Sequence, residues 1–180
     1  NSRVDYDGTP KLLCEVKAPK GVEGKFTYVV NGKTLKDGEE PYAIDANDYD
    51  IEVTFTPDDT NFGDPVTKKC TSTIYKDMVY LDFGSDTIHT YDGMAYCPKA
   101  TLTSVANPED KYELSYFVNA NPGSSLTKSS VAVNVGSYSV TVKLDEDFAK
   151  NYVIVGLDSI VFEIKPAVLS LKWDKSIFIY

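Results

Sequence analysis

The chain is written twice, and that repetition limits its fold more than any single motif does. Tyr49-Asp50-Ile51-Glu52-Val53-Thr54-Phe55 alternates apolar and polar residues, and the alternation returns 89 positions later as Tyr138-Ser139-Val140-Thr141-Val142-Lys143-Leu144. Successive side chains of an extended strand point to opposite faces, so Tyr49, Ile51, Val53 and Phe55 belong to a core and Asp50, Glu52 and Thr54 to water. Other landmarks return at nearly the same spacing. Tyr6-Asp7-Gly8 recurs as Tyr91-Asp92-Gly93 (offset 85), Phe26-Thr27-Tyr28-Val29-Val30-Asn31 as Leu114-Ser115-Tyr116-Phe117-Val118-Asn119 (offset 88), and Asn61-Phe62 as Asn151-Tyr152 (offset 90). One period shared by unrelated landmarks marks a repeat architecture. The offset creeps upward, which predicts short loop insertions in the second copy, for example around Asn119-Ala120-Asn121-Pro122-Gly123. Tyr180 aligns with Tyr91 at offset 89, so the residues are expected to stop at the threshold of a third copy, as in a piece of a tandem array.

Strands should dominate. Val, Ile, Thr and Tyr, the types that suit a pleated and half-buried surface, make up 56 of the 180 residues. No window of helical length carries apolar residues at i, i+3, i+4 and i+7. Turn signals such as Asn31-Gly32, Asp37-Gly38 and Pro122-Gly123 separate the strands, as in antiparallel sandwiches. Ahead of each strong strand stands a residue that tolerates a left-handed backbone, Asn47 or Gly136, followed two positions later by Tyr49 or Tyr138. That is the sequence form of a tyrosine corner, in which the phenol hydroxyl bonds upstream backbone. The expected fold class is all-β, two tandem immunoglobulin-like antiparallel β-sandwich modules over residues 1–76 and 77–166. Residues 167–180 are a strand entering a third repeat or closing the second. An alternative cut starts each module at Tyr-Asp-Gly. Short linkers at Tyr75-Lys76-Asp77 and Lys165-Pro166-Ala167 leave little slack, which predicts a semi-rigid arrangement.

Composition removes several function classes. Hydrophobic content of 42% with 25% charged residues describes a chain that forms a core. The longest apolar runs are of the Val153-Ile154-Val155 kind, far below the roughly 18 residues needed to cross a bilayer as a helix. Nothing resembles a signal peptide, as in a mature portion or a fragment. Twenty-seven acidic against eighteen basic residues give a net charge of −9, which repels a phosphate backbone, so nucleic acid is not an expected partner. Cys14, Cys70 and Cys97 lack the paired spacing of a zinc or redox site, and the one histidine, His89, sits in strand-like Thr87-Ile88-His89-Thr90. Cys14 shares an alternating face with Leu12 and Val16 and is expected to point into a core. If the chain is secreted, a Cys14–Cys70 bridge is the favoured pairing, with Cys97 left odd; three reduced thiols are the alternative.

Sharper readings attach to three groups of residues. Asp45, Asn47, Asp48 and Asp50 supply four oxygen-bearing side chains in six positions, a composition that suits calcium. The second copy has Val133, Val135, Gly136 and Ser139 there, and Asp58-Asp59 and Asp145-Glu146-Asp147 read as solvated loop charges. Tyr42 and Tyr112 lack equivalents in the other copy and are candidate stacking platforms for a glycan, while Trp173 is read as packing at a module joint. A glycosidase would need two carboxylates held in contrasting environments, and the acidic residues fall instead in turns and on solvent faces, so no enzyme is expected.

With Tyr-Asp-Gly opening each copy, Asn/Gly-x-Tyr before an alternating strand, and a later Asn-Phe or Asn-Tyr, nearly the whole chain resembles the bacterial YDG or MBG-type tandem repeat domains. Gly8-Thr9-Pro10 fits that pattern; Gly93-Met94-Ala95 and Asn47 depart from it. The resemblance implies a secreted or cell-surface protein and a stalk or adhesin region without catalysis. Its partners would be neighbouring repeats and, in the adhesive case, a glycan, mucin or matrix protein. It supplies no cofactor and no ligand residues.

Overall fold

The computed structural model describes residues 3–120 and 131–172. Pro122-Gly123, Trp173 and Tyr180 lie outside the described residues. Seven strands occupy the first part of the chain: β1 (Val4–Asp5), β2 (Lys11–Leu12), β3 (Gly24–Val30), β4 (Lys33–Thr34), β5 (Tyr42–Ala43), β6 (Asn47–Pro57) and β7 (Val66–Tyr75). Seven follow: β8 (Asp77–Asp82), β9 (Ile88–Thr90), β10 (Thr101–Thr103), β11 (Leu114–Asn119), β12 (Gly136–Leu144), β13 (Tyr152–Ile154) and β14 (Ser159–Lys165), with a single helical turn α1 (Phe148–Asn151) before β13. The protein is all-β and sandwich-like. A helix of four residues is too short to leave a 3.6-residue period in the sequence, which is why none was legible there.

The residues gather into two compact units. The first comprises Asn1–Tyr80, Thr103–Glu113 and Leu144–Val155. Its main sheet runs β1-β7-β6-β3-β4, and β2 pairs with β5 in a separate two-stranded sheet. Alternation along β6 buries Tyr49, Ile51, Val53 and Phe55. The opposite face carries polar cross-strand pairs instead, Lys69 to Glu52 (2.8 Å) and Thr54 to Thr67 (2.8 Å). Asn31 (φ 48°) and Gly32 (φ 78°) form the two-residue turn from β3 to β4, with the two positive φ values that match the twist of a tight hairpin.

The second unit comprises Leu81–Leu102, Leu114–Lys143 and Gly156–Tyr180. Its sheet runs β11-β12-β14-β9, and Tyr96 bridges Ala132 where the first repeat pairs β2 with β5. Cys97, Val118, Ala132, Val140, Phe162 and Ile164 form its core, with Tyr96, Tyr116 and Tyr138 packed against them. The first short strand runs parallel to the last long one in both repeats, β1 on β7 and β9 on β14. Within the first unit, β8 pairs parallel with β13.

Two local expectations fail. Leu13 is the buried residue of its segment, whereas Leu12 is exposed and Cys14 only half-buried, so Cys14 does not share a core face with Leu12. The strand there is two residues long, and Leu13 N–H donates to Pro41 O just beyond it (2.8 Å), so period-two counting does not carry through to Cys14. Asn47 is not a left-handed turn residue but the first residue of its long strand, paired with Ile74, whereas Gly136, which opens the other long strand opposite Ile164, does take a positive φ of 158°.

Candidate functional site

A knot of polar side chains in the first unit is the most elaborate arrangement around a single charge. The turn at residues 107–110 closes by Asp110 N–H donating to Asn107 O (3.1 Å), and Asn107 Nδ2 donates to Asp110 Oδ1 (2.9 Å). Two tyrosines distant in sequence donate to the other carboxylate oxygen: Tyr6 Oη and Tyr152 Oη each lie 2.7 Å from Asp110 Oδ2. Their rings meet edge to face at 5.3 Å, and Tyr152 stacks on Phe148 at 4.0 Å. Tyr6 and Tyr152 are both buried, and burial together with the carboxylate pushes both phenols up from their ordinary pKa, because neither can ionise beside a negative charge.

Gly8 explains the glycine of the Tyr-Asp-Gly motif. Its φ of 78° disfavours any side chain, and a Cβ there would stand 2.5 Å from Asn107 Nδ2. Asp7 sets the turn, accepting Thr9 N–H on Oδ1 (2.9 Å) while Lys11 Nζ donates to its other oxygen. Those donors hold the Asp7 carboxyl down at about 2. Neighbouring bonds add to the knot: Asn151 accepts from Ala46 N–H (2.7 Å) and donates to Asp45 Oδ1 (3.0 Å), and Ala106 N–H donates to Asp77 Oδ2 (3.2 Å). Lys76 Nζ donates to Ala149 O.

Beside the knot lies an open groove of about 720 Å³ lined by Asp110, Lys111, Tyr112, Glu113, Asp145 and Asp147. Tyr112 rests its ring against Phe148 at 5.4 Å and leaves its other side in solvent. Asp145 accepts Glu113 N–H (2.8 Å) and Phe148 N–H (2.9 Å), and these backbone donors hold its pKa below the usual carboxylate value. Asp147 pairs with Lys150 (2.6 Å). An aromatic edge among ionised carboxylates offers acceptors and a flat apolar surface, the complement of a hydroxyl-rich or cationic ligand.

The residues singled out by sequence are placed as follows. Tyr42 is exposed on β5 and does not line the groove that holds Tyr112. Asp45, Asn47, Asp48 and Asp50 do not converge. Asp45 accepts from Tyr49 on its backbone carbonyl and from Asn151 on Oδ1, Asp48 Oδ1 accepts from Thr73 (2.7 Å), and Asn47, Asp48 and Asp50 are strung along one extended strand. Among the described residues no group of three or more His, Cys, Asp or Glu gathers as a metal ion requires. Tyr49 Oη donates to Asp45 O and Tyr138 Oη to Asn134 O, each at 2.8 Å and each four residues upstream. His89 stacks on Tyr96 at 4.2 Å and reaches Asp92 at 3.5 Å. Cys14 and Cys70 stand side by side as free thiols, and burial first, then Cys70, pushes Cys14 up to about 11. Cys97 is buried in the core of the second unit.

Sequence reading missed Asp110 and Asn107. The available signal was an asymmetry between the copies: at offset 89, Asn107-Pro108-Glu109-Asp110 replaces Ala18-Pro19-Lys20-Gly21. Comparison of the chain with family models, with curated proteins and with solved structures returns no match.

Proposed function

We propose that the chain is a non-catalytic tandem-repeat segment of a secreted or cell-surface bacterial protein, built of immunoglobulin-like sandwich modules and acting as a semi-rigid stalk or spacer. The observation that carries this reading is the duplicated tyrosine corner, Tyr49 to Asp45 O and Tyr138 to Asn134 O, 89 residues apart and identical in length. A corner of this kind pins the crossing between two sheets of an immunoglobulin-like sandwich. The matching parallel pairs β1–β7 and β9–β14 support the same assignment. Backbone donors hold the Asp145 pKa below the usual carboxylate value, which suits it poorly to act as a general acid.

The groove beside Tyr112 favours a second reading, a module that recognises a glycan, mucin or matrix protein. One experiment separates the two: retention of the purified chain on an array of glycans, mucins and matrix proteins, with and without a calcium chelator. A spacer gives no saturable retention. Saturable binding abolished by Tyr112→Ala would establish the adhesive module and overturn the spacer.

A further inference from the structure

The Tyr-Asp-Gly motif is used once in this chain and present twice. At its first occurrence it is closed: Tyr6 is 5% exposed, its hydroxyl bonds Asp110, and Gly8 lies against Asn107. At its second the backbone repeats this geometry closely. Tyr91 N–H donates to Lys165 O at 2.8 Å as Tyr6 N–H donates to Tyr75 O at 2.8 Å. Asp92 Oδ1 accepts Met94 N–H at 2.8 Å as Asp7 Oδ1 accepts Thr9 N–H at 2.9 Å. Gly93 has φ 81° where Gly8 has 78°. Only the partner differs, for Tyr91 is 40% exposed and a Cβ on Gly93 would meet nothing within 4 Å.

One backbone geometry held at both sites, with the tyrosine buried at the first and exposed at the second, is hard to explain by local folding alone. A left-handed glycine costs chain entropy, and at Gly8 the close approach of Asn107 gives a reason for it. We infer that Tyr91-Asp92-Gly93 is an unfilled lock whose partner is a further module built like residues 77–166, presenting an Asn-Pro-x-Asp turn. Its asparagine would lie against Gly93, and its carboxylate would take the Tyr91 hydroxyl together with that of the module's own tyrosine equivalent to Tyr152. The inference rests on the tandem-repeat reading and names the joint between repeats. A second copy of this chain does not fit as the partner, because Asp110 Oδ2 already receives both Tyr6 and Tyr152. The residue that follows Gly8, Thr9, also bonds Asp7, and Lys11 pairs with that acid; at the second site His89 Nε2 stands 3.5 Å from Asp92 Oδ2.

The test is a lengthened chain in which residues 166–180 are replaced by a second copy of residues 76–172, so that Lys165 meets the added Lys76 as Tyr75 does. Hydroxyl-radical or nitration labelling of Tyr91 is read by mass spectrometry in the original and lengthened chains, with Tyr6 as the protected internal reference. Tyr91 is expected to label readily in the original chain and to fall to the level of Tyr6 in the lengthened one. Tyr91→Phe is expected to leave the Tm of the original chain unchanged and to lower that of the lengthened chain by as much as Tyr6→Phe does, roughly 3 to 6 °C. Replacing the added copy's counterpart of Asp110 by Asn is expected to abolish the difference between Tyr91 and Phe. Undiminished labelling of Tyr91 overturns the lock. If the added copy then melts cooperatively, the tandem-repeat reading survives without the lock; if it does not fold after Lys165, that reading falls as well.

Discussion

Tyr152→Phe deletes one oxygen from the interior of the first unit, and its cost follows from where that oxygen sits. The side chain is 2% exposed and its hydroxyl lies 2.7 Å from Asp110 Oδ2, a bond to a charged acceptor. Hydrogen bonds to ionised groups contribute roughly 1.5–3 kcal/mol, about twice the neutral value. The ring remains stacked on Phe148, so packing changes little and the loss should be about 2 kcal/mol. Tyr6→Phe should cost about as much. Asp110→Ala leaves two phenols and Asn107 without their acceptor and should cost more than either, about 3–5 kcal/mol. Because both hydroxyls act on one oxygen, the double variant should depart from additivity by at least about 0.5 kcal/mol. Urea unfolding followed by circular dichroism measures all four, provided the slope with denaturant is unchanged. The pH dependence has a definite sign. Both phenols have pKa values raised on folding, so their stabilisation is complete below pH 10, the ordinary tyrosine value, and is lost as pH rises above it toward the folded-state values. The double phenylalanine variant should therefore lose less stability than the parent between pH 10 and 11. A Tyr152→Phe protein within about 0.5 kcal/mol of the parent, with an unaltered alkaline limb, would refute the buried charge-assisted bond.

Four further outcomes are expected. Tyr49→Phe and Tyr138→Phe should each cost about 1 kcal/mol in urea unfolding, the worth of a neutral bond to backbone, and a null effect at both would remove the corner as a stabilising device. Oxidised glutathione should join Cys14 to Cys70: the exposed Cys70 thiolate attacks the disulfide, and Cys14 then displaces the second glutathione thiol. The product is lighter by two hydrogens, with Cys97 still free, and more stable by up to roughly 4 kcal/mol from loop closure; a Cys70–Cys97 product would contradict the placement of the thiols. Millimolar calcium or a chelator should leave the Tm unchanged, since Asp45 and Asp48 are committed to Tyr49, Asn151 and Thr73, and a rise of more than about 2 °C would restore the calcium reading. The Asp7 carboxyl should titrate near pH 2 by NMR and move toward 3.8 in Lys11→Met. Its small, salt-screened contribution is present above the ordinary value of 3.8 and lost as pH falls toward 2.

What was legible in the fold was whatever repeats over many residues. β6 and β12 are long enough for period-two alternation to be read without a structure, and the buried positions Ile51, Val53, Val140 and Val142 fall where the pattern puts them. The segment around Cys14 was misread because its strand spans two residues, and two residues carry no period. There, burial is decided by a non-local backbone bond from Leu13 to Pro41, which leaves no trace in local composition. Asn47 was the other misreading, since its place in the ladder with Ile74 needs no left-handed backbone, while Gly136 keeps a positive φ of 158°.

The site was harder to read for a different reason: it depends on differences between the copies. Aligning the repeats draws attention to what they share, such as Tyr-Asp-Gly and Asn-Phe or Asn-Tyr. The knot arises where they diverge, with Asp110 in place of Gly21, Asn107 in place of Ala18 and the hydroxyl of Tyr152 in place of the bare ring of Phe62. Tyr152 is buried, whereas Phe62 is 56% exposed. Divergence at three positions that meet around one carboxylate fits the lock proposed above, in which a copy that receives a tyrosine needs an acceptor. The motif shared by both copies then supplies the donor half of the joint, and the residues found in only one copy supply the acceptor half.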